Sequence, residues 1–337
     1  MRLWLAALTL MAACALPACA QTPAAGQEAQ PGGFKLYPPL SPEATKITCS
    51  AGATQGGAIL CHALPDEALA LDGKDIAITD KDGLAVIGLS RSKKSPAIIT
   101  YSSTKRMDDK IAEALGGKKS LADVFPSKVS VPVAKRHDDV GSLQMDCEQI
   151  APTTPENQQK AADSLVKKNK ALETYADPRG PLGLIKPVEA TDQQYSTSSF
   201  GRTRTYIPKT KDCKSTVNVH NGTDIAVIKG TEIRAPMAGT VLLADPDLYF
   251  EGGCIFLDLG RGLVSVTMHM SRIDVKPGQV VKQGELLGLS GATGRVTGPH
   301  VHWAIKYRNA VTKDRASDIW LDPMLVLKLD PTALTTN

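Results

Sequence analysis

Short strand-like runs alternate with turns throughout residues 200–328, and this spacing constrains the fold more than any other feature of the sequence. Each turn contains Gly or Pro, the residues that most often end a strand or reverse the chain. Regular short strands of this kind predict an antiparallel β-sandwich or an open barrel. The turns are Pro236-Met-Ala-Gly239, Asp245-Pro-Asp, Glu251-Gly-Gly, Gly260-Arg-Gly, Lys276-Pro-Gly-Gln, Lys282-Gln-Gly-Glu and Gly291-Ala-Thr-Gly.

A second set of β-branched runs lies between Thr45 and about Met145, separated by Asp-Gly and Gly-Gly pairs. It predicts a small N-terminal β-sandwich-like domain over residues 45–150, so we expect a mainly β protein. His62 and His137 fall in this region without ligand-like neighbours at short spacing, and we assign them to the scaffold.

A helix is predicted to connect the two β regions. Thr154-Pro155-Glu156 combines a capping residue, Pro at the first helical position and an acid in the first turn, and the helix is expected to run to about Tyr175. Its lysines are interpreted as a solvated face. We divide the chain into a signal peptide (1–20), a flexible tether (21–44), the N-terminal β domain (45–150), the helix and a connector (151–199), the C-terminal domain (200–328) and a tail (329–337).

The N-terminus indicates export. An apolar run from Leu3 to Leu16 follows Arg2 and is shorter than the ~20 residues that span a bilayer, which is typical of a secretory signal. Ala18-Cys19-Ala20 has the form of a signal-peptidase site with cleavage before Gln21, whereas Leu16-Pro17-Ala18-Cys19 resembles a bacterial lipobox. Plain cleavage and lipidation of Cys19 both stay open. Either one predicts an exported protein of the periplasm, and lipidation of Cys19 would anchor it to the outer membrane.

The remaining composition limits the partners and the disulfides. A net charge of +4 without a basic stripe does not indicate nucleic acid, and no later segment is apolar for ~18 residues, so membrane contact is expected only through a lipid anchor. Disulfides persist in exported proteins. Cys49 and Cys61 bracket a turn-rich segment, and Cys213 and Cys254 form a second plausible pair, which leaves Cys147 unpaired. The absence of any Cys-x-x-Cys spacing argues against a zinc cluster of cysteines.

Histidines carry the chemistry of the C-terminal third. In His300-Val301-His302, alternation along a strand places both imidazoles on one face, which suits a metal, or a metal and a base. His220 precedes an Asn-Gly turn that can bring it back to Asp224, although the same residues also fit a plain hairpin. Two His nitrogens and one carboxylate oxygen form a tetrahedral zinc site with an open position for water, as a catalytic site requires.

These motifs resemble the lysostaphin-type (LytM-type) zinc metallopeptidases over about residues 200–328. The similar segments, in order, are His220-x-x-x-Asp224, Pro236-Met-Ala-Gly-Thr-Val241, Met268-His269-Met-Ser, Val275-Lys-Pro-Gly-Gln-Val-Val-Lys-Gln-Gly-Glu285 and Gly291-Ala-Thr-Gly-Arg-Val-Thr-Gly-Pro-His-Val-His302. The resemblance implies one Zn²⁺ per chain, held by His220, Asp224 and His302, with His269 and His300 flanking the water that the zinc activates. It also implies hydrolysis of peptide bonds in peptidoglycan, with stem peptides as the partner.

Two other functions fit parts of the same sequence. A non-catalytic cell-wall-binding or amidase-regulating protein has the same fold, but all five site positions are filled here. The segments after Ala235 and Val275 also resemble the hammerhead of biotinyl and lipoyl carriers, yet Met268-His269-Met270 has His where a carrier needs the modified Lys.

Overall fold

The computed structural model describes residues 45–104, 109–114, 116–195 and 197–334. The predicted signal peptide, the tether and the lipidation of Cys19 lie outside these residues. Strands account for 38% of the structure and helices for 15%, so the expected mainly β class is confirmed. In the part of the chain that the structure describes, no helix is both long and apolar enough to cross a membrane.

The N-terminal strands form two small antiparallel sheets and one parallel pair. The sheets have the strand orders β1-β3-β6 and β5-β4-β7-β8, and β2 pairs with β9. Their shared core contains Ile59, Leu69, Ile87 and Ile99, each fully buried. The strands are β1 Thr48–Cys49, β2 Ala53–Thr54, β3 Ala58–His62, β4 Ala68–Leu71, β5 Lys74–Ile78, β6 Leu84–Gly88, β7 Ala97–Tyr101, β8 Lys128–Val131 and β9 Val133–Ala134. Two short helices, α1 Asp109–Ala114 and α2 Leu121–Val124, lie between β7 and β8.

A three-stranded sheet then joins the residues on either side of the long helix. In it β10 pairs in parallel with β11, which pairs antiparallel with β12. The elements of this part are β10 Val140–Met145, α3 Cys147–Ile150, α4 Pro155–Ala171, α5 Asp192–Tyr195, β11 Thr203–Pro208 and β12 Thr216–Val219.

Helix α4 begins as predicted and ends four residues before Tyr175. The Thr154 hydroxyl caps it by accepting a hydrogen bond from the Asn157 backbone N–H at 3.2 Å. Three of its lysines pair with acids of residues 245–251, and the side chains of Lys160 and Lys167 remain 41% and 54% exposed, as on a solvated face. These pairs are Lys160–Asp247, Lys167–Asp245 and Lys168–Glu251.

The C-terminal strands form one nine-stranded sheet, which is antiparallel throughout. Its main path is β13-β20-β17-β16-β15-β18, with β19 between β14 and β17 and with β21 beside β20. All nine residues of β16 are buried, because hydrophobic clusters cover both faces of the central strands. The elements are β13 Thr223–Ile225, β14 Glu232–Arg234, β15 Gly239–Leu248, β16 Gly252–Gly260, β17 Leu263–Ile273, β18 Val280–Val281, β19 Leu286–Ser290, β20 Val301–Tyr307, β21 Ile319–Leu321 and α6 Pro323–Val326.

The cysteines are paired differently from the prediction at one of two positions. Cys49 is bonded to Cys61, which lies directly opposite it on β3. Cys213, however, is bonded to Cys147 and not to Cys254. The reason is topological: the parallel partners β10 and β11 end side by side, so the segments that follow them bring Cys147 and Cys213 together. Cys254 lies buried within β16 and carries a free thiol.

Candidate active site

His220 and Asp224 are brought together by the turn between β12 and β13. His220 follows the last residue of β12, and Asp224 is the middle residue of β13. His220 Nδ1 lies 2.9 Å from the Ser199 carbonyl oxygen, to which it donates, so that Nε2 keeps its lone pair. That Nε2 lies 3.0 Å from Asp224 Oδ1.

His302 completes the cluster because β13 pairs with β20 in a register that places it directly opposite Asp224. His302 Nδ1 lies 2.9 Å from Asp224 Oδ1 and 3.0 Å from His220 Nε2. Donor atoms around a tetrahedral zinc with bonds of ~2.0–2.1 Å lie about 3.3 Å apart, so these three atoms match one triangular face of such a site. The donor set of two imidazoles and one carboxylate therefore fits zinc.

The site also favours the protonation states that a metal requires, namely neutral imidazole and carboxylate. Burial alone raises the pKa of Asp224, but hydrogen bonds and charges from His220 and His302 outweigh it and hold the pKa well below its usual range. Burial lowers the pKa of His302, because the imidazolium form is poorly solvated there.

Gly222 allows the two halves of the cluster to approach. A Cβ at this position would lie 2.6 Å from His302 Nε2 and 2.6 Å from the Trp303 carbonyl oxygen. The Asn-Gly turn is therefore more than a plain hairpin, since its glycine leaves room for a ligand side chain on the neighbouring strand.

Arg204 is part of the site and was not among the predicted residues. Its guanidinium donates to Asp224 Oδ2 and to the Ser198 hydroxyl, so Oδ1 remains directed at the two histidines. Its sequence signal was the alternation along β11, which places every second residue, including Arg204 and Tyr206, on one face.

His300 lies just before β20 rather than within it, in an isolated bridge to Gly291. Its Nδ1 lies 2.9 Å from the Gly298 carbonyl oxygen, and its Nε2 lies 3.6 Å from Asp224 Oδ1. The ring therefore points its free nitrogen at the cluster.

His269 reaches the same place through a bulge in β17. Thr267 is opposite Ile255 and Met270 is opposite Gly253, so two residues of β17 face the single residue between them on β16. His269 itself has a φ of 65°, and bulges beside active sites commonly redirect a side chain in this way. Its ring centroid lies 4.7 Å from that of His300, and its Nδ1 lies 2.9 Å from the Thr293 carbonyl oxygen. Burial, reinforced by His300 and His302, lowers the pKa of His269 to about 3.

All five predicted site residues line one cavity of about 420 Å³. Its wall includes residues 141–143 of β10, so the segment before the helix also borders the site. His62 and His137 do not line this cavity.

Several known proteins are similar in sequence to this part of the chain. The model of Peptidase family M23 matches residues 218–315, which include all five site residues. The chain is 38% identical over 117 residues to the peptidoglycan DD-endopeptidase ShyA of Vibrio cholerae, a match covering 35% of this chain and 26% of ShyA. It is 34% identical over 111 residues to lysostaphin of Staphylococcus staphylolyticus, covering 33% of this chain and 22% of lysostaphin.

The chain thus spans about a quarter of the length of these two relatives. Among solved structures, a zinc-containing peptidase from Vibrio cholerae is 28% identical, with 44% of this chain and 40% of that chain covered and a TM-score of 0.33. Residues 218–315, the segment that carries all five site residues, thus match the model of peptidase family M23 and are similar to peptidases of that family.

Proposed function

We propose that this protein is a zinc-dependent endopeptidase that hydrolyses peptide cross-links of peptidoglycan. One Zn²⁺ per chain would be held by His220 Nε2, Asp224 Oδ1 and His302 Nδ1. The observation that carries the proposal is the mutual separation of these atoms, 2.9–3.0 Å, beside two further histidines on the same cavity.

Zinc held by these three residues would polarise the scissile carbonyl and lower the pKa of a bound water toward ~7. The chain's own residues supply proton transfer and orientation. His300 donates through Nδ1 to the Gly298 carbonyl, which leaves Nε2 as the acceptor that faces the cluster. His269 is fixed in the same manner by the Thr293 carbonyl and is neutral at neutral pH, so its Nε2 is also left as a hydrogen-bond acceptor.

The substrate is inferred from the relatives. ShyA is named a peptidoglycan DD-endopeptidase, and another relative, of Staphylococcus capitis, is named a glycyl-glycine endopeptidase. For this chain we propose peptidoglycan stem peptides as the partner and the periplasm as the location, because Leu3–Leu16 reads as a secretory signal. Anchoring to the outer membrane through Cys19 belongs to the same proposal.

Digestion of purified sacculi by the zinc-loaded protein tests this function. We expect loss of cross-linked muropeptides, identified by product masses, and no digestion after chelation until zinc is restored. Stoichiometric zinc without any cleavage would contradict the proposed enzymatic activity. It would favour a non-catalytic wall-binding or amidase-regulating role instead.

A further inference from the structure

The cavity carries an excess of positive charge. Besides the histidines, five charged side chains line it: Arg202, Arg204, Asp224, Glu251 and Arg295. Both acids are already paired, Asp224 with Arg204 and Glu251 with Lys168 of α4. Arg202 and Arg295 have no acidic partner among the described residues. A peptide bound in the cavity therefore meets two positive charges, those of Arg202 and Arg295, that no described acid neutralises.

The guanidinium of Arg295 is held in place without donating a hydrogen bond to any described residue. Its guanidinium lies over the rings of Tyr206 and Phe250, with centroid distances of 5.0 and 4.7 Å. Its backbone N–H donates to the Phe250 carbonyl at 2.8 Å, and Gln149 Nε2 donates to the next carbonyl, that of Val296, at 3.2 Å. Contact with ring faces restricts the guanidinium but does not satisfy its N–H groups, so the fork stays available to a carboxylate.

Arg202 immediately precedes β11, and it lines the same wall of the cavity. It lies two residues before Arg204 and four before Tyr206, the residue on which Arg295 stacks, so all three face the cavity. Gly141 of β10 makes room for it, because a Cβ there would lie 2.7 Å from Arg202 Nη2. Two guanidiniums that find no acceptor among the described side chains thus border the same cavity as the histidine cluster.

We propose that Arg295, assisted by Arg202, binds a free carboxylate of the stem peptide close to the scissile bond. The inference rests on the proposed function and deepens it, since it names the substrate as an anionic peptide rather than a neutral one such as a glycine bridge. Arg is suited to this role because its planar fork makes two parallel, charge-assisted hydrogen bonds to a carboxylate.

A pair of synthetic cross-linked peptides tests the proposal. The two peptides are identical except that the carboxylate nearest the scissile bond is a carboxamide in one of them. For the zinc-loaded full chain we expect kcat/KM to be about 10- to 100-fold higher for the acid, the range for a charge-assisted hydrogen bond. Arg295→Gln should remove this preference by lowering the rate on the acid alone, and Arg295→Lys should restore it only in part. Arg202→Gln should reduce the preference, and Lys276→Gln, an exposed cation outside the cavity, should leave it unchanged.

Equal rates on the two peptides for the unaltered protein would overturn the inference. An equal loss on both peptides in Arg295→Gln would overturn it as well, because that result assigns Arg295 to loop structure only. Binding of ketomethylene versions of the pair, measured calorimetrically, separates this inference from the proposed function. If neither peptide is cleaved, a preference for the acid that depends on Arg295 still supports the carboxylate site, and equal binding of both contradicts it.

Discussion

Arg204 binds one carboxylate oxygen of Asp224 and leaves the other oxygen directed at two histidines. The guanidinium takes Oδ2, and Oδ1 is left at 3.0 Å from His220 Nε2 and 2.9 Å from His302 Nδ1. A residue that orients a metal ligand in this way is typically worth 10- to 100-fold in metal affinity.

We therefore expect Arg204→Ala to weaken zinc binding by about 10- to 100-fold while the fold is retained. Competition with a chromophoric chelator measures the affinity directly, without any assay of hydrolysis. Arg272→Ala is the matched control, because Arg272 is an exposed arginine that pairs with Asp274 away from the cavity. Equal zinc affinity in both variants would show that Asp224 does not depend on Arg204.

His300 and His302 share one side of the site but should have different roles. Zinc content should fall with activity in His302→Ala, because a ligand atom is lost. His300→Ala should keep its zinc and lose about 10²- to 10⁴-fold in rate, as expected for a positioned acid–base group. Metal analysis beside hydrolysis rates distinguishes them, and metal loss confined to His300→Ala would exchange the two assignments.

Gly222→Ala should disturb the metal site more than the rest of the fold. The added Cβ would meet His302 Nε2 and a backbone oxygen at 2.6 Å, and backbone cannot move aside cheaply. We expect a marked loss of zinc affinity, with circular dichroism close to that of the unaltered protein. Gly183→Ala is the control, since no atom lies within 4 Å of its added Cβ. Normal zinc binding in Gly222→Ala would mean that β13 and β20 can separate without cost.

Acid should destabilise the metal-free protein. The pKa of His269 is about 3 in the folded state against 6.5 as the ordinary value, so between these values the unfolded state binds more protons. The stability associated with this burial is complete above pH 6.5 and falls by up to ~1.4 kcal/mol per pH unit below it. Urea unfolding of chelated protein at pH 7.5 and 5.5 measures the loss, which should be smaller in His269→Gln. An identical loss in both proteins would remove His269 as its source.

One free thiol should be detected in the chain that begins at Gln21, and only after unfolding. Cys254 is buried within β16, and burial raises its pKa well above the usual value, so the reactive thiolate is absent in the folded protein. Labelling with a thiol reagent in native and denaturing buffer, followed by peptide mapping, checks this. Recovery of a peptide joining Cys213 to Cys254 would contradict the connectivity described above.

Much of the architecture could be read from local patterns. Alternating apolar runs and Gly/Pro turns predicted the mainly β class, since strand and turn preferences act over a few residues. Thr154 and Pro155 likewise predicted the start of α4, whose cap is local. The ion pairs of its lysines depend on acids 78 and 87 residues away and could not be predicted in this way.

The residue types available for chemistry, and their distances along the chain, follow from the sequence alone. The spacing of His220 from Asp224 and of His300 from His302 suited a metal site, because both are short-range features of turns and strands, and the resemblance to the lysostaphin-type peptidases supplied the assignment of ligands. Two other features depend on long-range packing: β13 pairs with β20 so that Asp224 faces His302, and a bulge in β17 turns His269 toward them. The pairing of β10 with β11 likewise selected Cys147 as the partner of Cys213, and the β11 face brought Arg204 to Asp224. These contacts join segments dozens of residues apart, and the packing of the whole sheet, rather than any local preference, determines which of them form.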